Sequence, residues 1–271
     1  MPTDRLPVSS FVITKNEEEH IAECLDSLSF CDEIVVVDSF SEDRTAEIAR
    51  EKGARVIQRH WPGYRDQKAF ALGEMTHEWV VNIDADERVS PELRENIIKV
   101  LRSEKTKSDQ GKTTDLDPVG YYINRVVYFL NRWWRKGGWY PEYRLRFFRC
   151  SRVKWGGIEP HERPEPDGPT QRMEGEILHY TYKDLWDQID RLNKYSSIAA
   201  REDFNLERRF KWSSLFISPF VRAGKFYLLK KGYREGMAGA IVAVLEGFYT
   251  FVKYAKLWEQ QFYRDSNNTK K

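Results

Sequence analysis

Over the first hundred residues, short apolar runs alternate with segments whose apolar positions recur every three to four residues. Residues 8–14 form a short, largely apolar stretch that reads as a strand, and Ile21, Leu25 and Leu28 place one helical face over 17–29. Residues 33–38 (Glu33-Ile34-Val35-Val36-Val37-Asp38) are mostly β-branched, as in a strand buried on both faces. Ser41 is placed to cap a helix running to Lys52, with Gly53 marking its end. A third strand is expected over 54–58, a helix over 64–76 and a strand over 78–83. This alternation predicts an α/β fold with parallel strands and right-handed crossovers. Such sheets bind ligands beyond the carboxyl ends of their strands. The polar clusters 14–17, 38–41 and 84–86 all fall on that edge.

The pattern then changes. Residues 103–118 are polar and end in proline, which predicts a surface insertion. Strands are expected over 120–129, 143–150 and 176–182, and a Gly/Pro-rich loop over 156–168. An amphipathic helix follows over 184–206, then two or three more from 210 to 263, broken near Pro219 and Gly232. The expected organisation is a first half over 1–118, a second over 119–183 and a helical C-terminal region over 184–271.

Composition narrows this picture in three ways. A length of 271 residues with 41% hydrophobic content supports one large domain or a domain with a helical appendage. A net charge of +2 gives no general affinity for polyanions, and no nucleic-acid partner is expected. The three cysteines, Cys24, Cys31 and Cys150, are too scattered for a disulfide framework or a zinc cluster, so a reducing cytoplasmic setting is expected. The first five residues lack an apolar signal-peptide core, and no uninterrupted apolar run reaches the ~20 residues of a membrane span.

The sharpest chemical signal is Asp84-Ala85-Asp86-Glu87 at the end of an apolar run. Residues i and i+2 of a strand point to the same side, so Asp84 and Asp86 can converge, with small Ala85 leaving room for a ligand. Two carboxylates beside an open site suit Mg²⁺ or Mn²⁺ carrying a substrate phosphate. The plainer alternative is a strand end followed by an acidic turn and the cap of a helix starting near Pro91.

Three segments in order resemble the family 2 inverting glycosyltransferases. They are Ser10-Phe11-Val12-Ile13-Thr14-Lys15-Asn16-Glu17-Glu18, Val35-Val36-Val37-Asp38-Ser39 with Ser41-Asp43-Arg44-Thr45, and Asp84-Ala85-Asp86-Glu87. Within that family the chain looks most like the bacterial lipopolysaccharide inner-core glucosyltransferases of the WaaE/KdtX type, over roughly residues 8–205. The resemblance implies a GT-A fold, with a mainly parallel central sheet and a C-terminal helical extension. It implies a nucleotide-sugar donor, UDP-glucose in the first instance, held by Thr14, Asn16, Glu17, Asp38, Lys68, Asp84 and Ala85. Asp38 has the alternative of capping the next helix, Glu17 that of a first-turn acid, and Lys68, beside Gln67, that of a solvated helix lysine.

The same resemblance implies a divalent cation, Mg²⁺ or Mn²⁺, on Asp86 and Asp84, with His179 as a third ligand or a structural hydrogen-bonder. An inverting transfer needs one general base, and the matching position is Glu162 in Glu159-Pro160-His161-Glu162, with Glu159 as the alternative. The acceptor is expected at Arg125, Arg146, Arg149, Trp139 and His161, since guanidinium forks bind phosphate or carboxylate and aromatic faces stack on sugars. An acidic glycolipid such as a lipopolysaccharide inner core fits that mixture. From 208 to 234 there are eight basic residues and no acidic one, interleaved with aromatic and aliphatic side chains. That pattern predicts peripheral attachment to the cytoplasmic face of the inner membrane. Alternatives of other kinds are a polyprenyl-phosphate or protein glycosyltransferase and a non-catalytic membrane- or nucleic-acid-binding module.

Overall fold

The computed structural model describes residues 6–112, 114, 116–157 and 162–268, with side chains described within 7–264. Its elements run β1 (Leu6–Thr14), α1 (Ile21–Ser27), β2 (Cys31–Asp38), α2 (Thr45–Glu51), β3 (Arg55–Gln58), α3 (Tyr64–Gly73), β4 (Trp79–Asn82), β5 (Glu87–Val89) and α4 (Pro91–Asp109). There follow β6 (Gly120–Phe129), β7 (Arg132–Trp134), β8 (Glu142–Arg149), β9 (Val153–Gly156), β10 (Arg163–Pro166), β11 (Thr170–His179) and α5 (Leu185–Asn205). The chain ends in α6 (Trp212–Phe216), α7 (Ser218–Gly224) and α8 (Gly236–Asn268).

Two compact units emerge, one of residues 1–126 with 142–179 and the other of 127–141 with 180–271. The boundaries expected at 118 and 183 followed a change in composition. Packing instead joins both halves of the sheet and assigns the segment 127–141 to the helical unit.

In the first unit the strand order is β3-β2-β1-β4-β8-β6-β11-β5. The four strands read from the N-terminal pattern are parallel, with β1 between β2 and β4. Beyond β4 the sheet turns antiparallel, with Trp79 opposite Arg149 and Val81 opposite Phe147. Val12, Val36, Val81, Leu25, Leu93 and Ile97 fill the core on one face, and Phe11, Val35, Val37, Leu72 and Phe148 fill the other. The fold is therefore α/β with apolar strands buried on both faces, as their β-branched runs require.

Three local expectations are corrected. The helix after β2 starts at Thr45 rather than behind Ser41, because Asp43 Oδ1 accepts the Thr45 N–H at 3.0 Å. Residues 103–109 are helix, not insertion: the apolar stripe Leu93, Ile97, Leu101 ends early, and polar anchors carry α4 onward. Glu104 pairs with Arg149, and Lys107 reaches Asp117 at 2.5 Å. The strand expected over 176–182 is β11, which begins at Thr170 and ends at His179. Gly175 lies on it at φ +94, where a Cβ would sit 2.5 Å from the Leu93 backbone nitrogen, so β11 and α4 meet at a position only glycine fits.

In the second unit the end of β6 pairs with β7, Val127 opposite Trp134. Phe129, Trp134, Phe226, Ala238 and Val242 form its core. Helix α5 buries Leu192, Ser196, Ala200 and Asp203 in one stripe. Lys253 of α8 meets Asp203 at 2.6 Å, and Lys256 donates to Ser196 at 2.9 Å and Ser197 at 2.7 Å. Residues 232–264 include an 18-residue window of mean hydropathy 1.3, one-third buried, long and apolar enough by length and composition alone to cross a membrane. The expectation that no apolar run is long enough to span a membrane rested on uninterrupted runs, whereas mean hydropathy tolerates a charged residue such as Glu246 within the helix.

Candidate active site

The first unit gathers its candidate functional side chains at the carboxyl ends of β1, β2 and β4. Asp84 and Asp86 lie in the turn between β4 and β5, which Glu87 shapes from both directions. The Glu87 backbone N–H donates to the Asp84 carbonyl at 2.9 Å, and Glu87 Oε2 accepts the Asp84 N–H at 2.9 Å. Glu87 is fully buried, so both of its oxygens require partners. Its Oε1 accepts from Arg146 at 2.8 Å and from Arg125 at 3.3 Å.

A chain of alternating charge passes through this turn. Glu142 meets Arg125 at 2.7 Å, Arg125 meets Glu87, and Arg146 joins Glu87 to Asp84 Oδ2 at 2.7 Å. Asp84 Oδ1 then faces Lys68 Nζ at 3.2 Å, and Lys68 Nζ stands 3.6 Å from Glu162 Oε1. Lys68 is 7% exposed and lies 5.6 Å above the Trp155 ring. Burial alone would raise the Asp84 carboxyl, but Arg146 and Lys68 outweigh it and hold that carboxyl well below the usual carboxylate range. Asp84 is therefore ionised at neutral pH. The second oxygen of Glu162, Oε2, is buried without a hydrogen-bond partner among the described residues.

Asp86 Oδ2 lies 3.2 Å from His179 Nε2. The pairing follows from the sheet, since β11 sets His179 opposite Glu87, next to Asp86. Among the described residues, no three His, Cys, Asp or Glu side chains gather into a ready-made cation site. Mg²⁺ commonly takes only one or two carboxylates and completes its shell with phosphate oxygens and water, which the Asp86 carboxylate fits, while the His179 imidazole is acceptable to Mn²⁺ but less natural for Mg²⁺. Asp84 differs from the expectation here, because its two oxygens are engaged by Lys68 and Arg146.

At the carboxyl ends of the first two strands, Thr14 ends β1 and Asp38 ends β2, opposite each other in register. The Thr14 hydroxyl is buried with no partner among the described residues. The Asp38 carboxylate accepts from the Ser41 N–H at 3.0 Å and from the Ser41 hydroxyl, so it closes its own loop. Asn16 holds φ +55, its N–H donating to Ser41 Oγ at 2.9 Å and its Oδ1 accepting the Glu42 N–H at 2.8 Å. Phe40 sits at φ +57, an uncommon backbone for a bulky residue, with its ring stacked on His60 at 4.4 Å. The Glu17 N–H donates to Thr45 Oγ1 at 2.7 Å, and Ala85 is buried with its carbonyl accepting from Arg88.

The acceptor residues expected from sequence separate. Arg146 is not on an acceptor surface but buried beneath the Asp84–Glu87 turn, where it also donates to Asn82 Oδ1 at 2.9 Å. Arg125 belongs to the same network. Arg149 is not brought to the site, because β8 runs antiparallel to β4 and sets it beside Trp79 at the opposite end of the strand. Trp139 belongs to the second unit, and Glu159 and His161 lie outside the described residues. Sequence reasoning gave no role to Glu87, Asn82 or Glu142. For Glu87 the available signal was an acid three residues after Asp84, the spacing of a turn closed by its own side chain.

Residues 9–156 match the model of the Glycosyl transferase family 2, and the chain belongs to that family. It is an enzyme of glycosyl transfer. The lipopolysaccharide core biosynthesis glycosyltransferase LpsC of Rhizobium meliloti is 30% identical to it, over 94% of this chain and 93% of that protein. An uncharacterized glycosyltransferase of Rickettsia felis is 45% identical, over 93% of this chain and 89% of that one. Among solved structures, glucosyl-3-phosphoglycerate synthase from Mycobacterium tuberculosis, in complex with Mn²⁺, UDP and glucosyl-3-phosphoglycerate, matches at TM-score 0.34 and 22% identity. That match covers 45% of this chain and 44% of that one, too little to bear on the site.

Proposed function

We propose that this family 2 glycosyltransferase is a metal-assisted inverting hexosyltransferase that moves glucose from UDP-glucose onto a lipopolysaccharide inner core. One observation carries the mechanism. Lys68 stands between Asp84 of the Asp84-Ala85-Asp86 turn and Glu162, 78 residues later in the chain, so the donor motif and the candidate base share one cation. The name of the Rhizobium meliloti relative supports the acceptor class.

In this reading Thr14, Asn16, Glu17 and Asp38 line the nucleoside end of the donor. The unpaired Thr14 hydroxyl supports that role, since a buried polar group without a partner is costly until something meets it. Lys68 and Ala85 flank the diphosphate. Asp86 and His179 would hold Mg²⁺ or Mn²⁺, which would supply Lewis-acid neutralisation of negative charge on the departing nucleoside diphosphate, worth several kcal/mol of barrier. Asp84, fixed by Arg146, keeps the turn in place.

The acceptor hydroxyl attacks the anomeric carbon opposite the diphosphate. The new carbon–oxygen bond forms as the bond to phosphate breaks, and Glu162 Oε2 takes the hydroxyl proton. Lys68 Nζ, 3.6 Å from Oε1, anchors the side chain, and its second oxygen has no partner among the described residues. No second carboxylate is needed for a covalent intermediate.

Membrane attachment rests on the basic segment 208–234. Trp212, Phe216, Phe220, Leu228 and Leu229 of that segment are each more than half exposed. Apolar tips beside unbalanced positive charge suit the surface of an anionic bilayer.

The test is UDP release from UDP-glucose with purified inner-core acceptor, with and without Mn²⁺. Activity that requires metal and acceptor, and that falls at least a thousandfold in Asp86→Ala, supports the reading. Metal-independent transfer, or an Asp86→Ala enzyme close to wild type, overturns it.

A further inference from the structure

The second unit contains a cavity of about 270 Å³ that the glycosyl-transfer chemistry above does not use. We infer that it is a saccharide-binding pocket, built for an uncharged sugar ring. Its walls are aromatic: Trp139, Tyr182, Tyr195 and Tyr249. Trp139 and Tyr182 stand 5.9 Å apart at a 40° tilt, giving two adjoining ring faces. Ring faces of this kind cover the apolar C–H face of a pyranose.

The polar lining points the same way. Gln188 is 6% exposed, lines the cavity, and its Oε1 is buried with no partner among the described residues. A buried amide oxygen without a donor is destabilising, and a hydroxyl donor relieves it. The charged groups around it are already answered from within. Arg222 bonds Glu246 Oε2 at 2.8 Å, the Trp139 indole N–H donates to Glu246 Oε1 at 3.2 Å, and Arg191 bonds Asp187 at 3.0 Å. Burial pushes the Tyr182 hydroxyl up to about 12, so it remains a neutral donor and acceptor. A pocket whose arginines are each paired with a carboxylate does not select an anion. It offers apolar faces, a vacant amide oxygen and balanced donors and acceptors, which match the hydroxyls of a neutral sugar. The volume admits about one ring. The inference rests on the proposed reaction only for its choice of probes.

The experiment is saturation-transfer NMR on the full chain with methyl α-glycosides of glucose, galactose and mannose, beside glucuronic acid and glucose 6-phosphate as anionic probes. At least one neutral glycoside is expected to saturate, with its Kd raised fivefold or more in Gln188→Leu and again in Tyr195→Ala. Excess UDP-glucose is not expected to displace it. Gln188→Leu replaces an unpaired polar group with an apolar one of similar size, and Tyr195 is half exposed, so both variants should fold. Three results each overturn the proposal: no saturable neutral glycoside, unchanged binding in both variants, or tighter binding of the anionic probes. Failure of the catalytic reading is distinguishable. Asp86→Ala leaves glycoside binding intact, and Gln188→Leu leaves UDP-dependent thermal stabilisation intact.

Discussion

Arg146 and Arg149 stand three residues apart on the same strand, and they meet very different surroundings. At the amino end of β4, Arg149 lies 4.8 Å above the Trp79 ring and pairs with Glu104, which also keeps Lys107 at 3.4 Å. Trp79, Tyr121 and Phe147 stack there, 4.5 Å and 5.6 Å between successive centroids through Phe147. At the carboxyl end, Arg146 is buried and answered by Asp84 and Glu87, while Lys68 is answered by Asp84 and Glu162. The amino end is a packed aromatic layer with an ion pair at its margin. The carboxyl end is a set of charges in which each cation serves two carboxylates. Burying such a set is a weak source of stability, because desolvation offsets most of the attraction. Its value lies in position: one turn and one distant glutamate are fixed against the same cations.

The sharpest way to break this contrast is Arg146→Met. It leaves Asp84 and the fully buried Glu87 short of a cation, and uncompensated buried charge costs about 3–5 kcal/mol. Thermal denaturation of the full chain should show a large loss of stability together with loss of transfer. A variant as stable as wild type would mean that the network contributes position without strength.

Acid provides the next test. Asp84 is held below its ordinary carboxyl range by Arg146 and Lys68 against the effect of burial. Its ionised form therefore contributes stability above the unfolded-state pKa of about 3.9, and that contribution is lost as pH falls further toward the folded-state value. Melting temperature measured from pH 5 downward should fall, and Lys68→Met, which removes one of the two cations, should flatten that fall. Equal slopes in both proteins would locate the acid sensitivity elsewhere.

The smallest effect is expected at the amino end. Arg149→Leu removes one partly exposed pair and a cation–ring contact, while Glu104 keeps Lys107. A loss of about 1 kcal/mol or less is expected, with the KM for UDP-glucose unchanged. A raised KM would restore Arg149 to the site.

The legible parts of the sequence were those governed by hydrophobic period. The runs 8–14, 33–38 and 78–83 gave β1, β2 and β4 to within two residues at each end, and with them the edge on which Thr14, Asp38 and Asp84 lie. Motif spacing showed the family. What it did not show was which groups answer one another across the sheet. That Arg146 reaches Asp84 while Arg149 does not depends on β8 running antiparallel to β4, and nothing in the run Arg144–Arg149 states a direction. The last two turns of α4 were read as loop because Glu104 and Lys107 hold them through partners 45 and 10 residues away rather than through an apolar stripe. For Lys68 the sequence left a phosphate contact and a solvated helix position both open, since its burial comes from Trp155, Asp84 and Glu162, all distant in sequence.

The most direct measurement is the kcat of Glu162→Gln with UDP-glucose and a saturating acceptor. An amide keeps the size of the side chain but cannot take the acceptor's proton. The account predicts a kcat lower by about 10²–10⁴-fold, with undiminished stabilisation by UDP with Mn²⁺. A kcat within about threefold of wild type would contradict it.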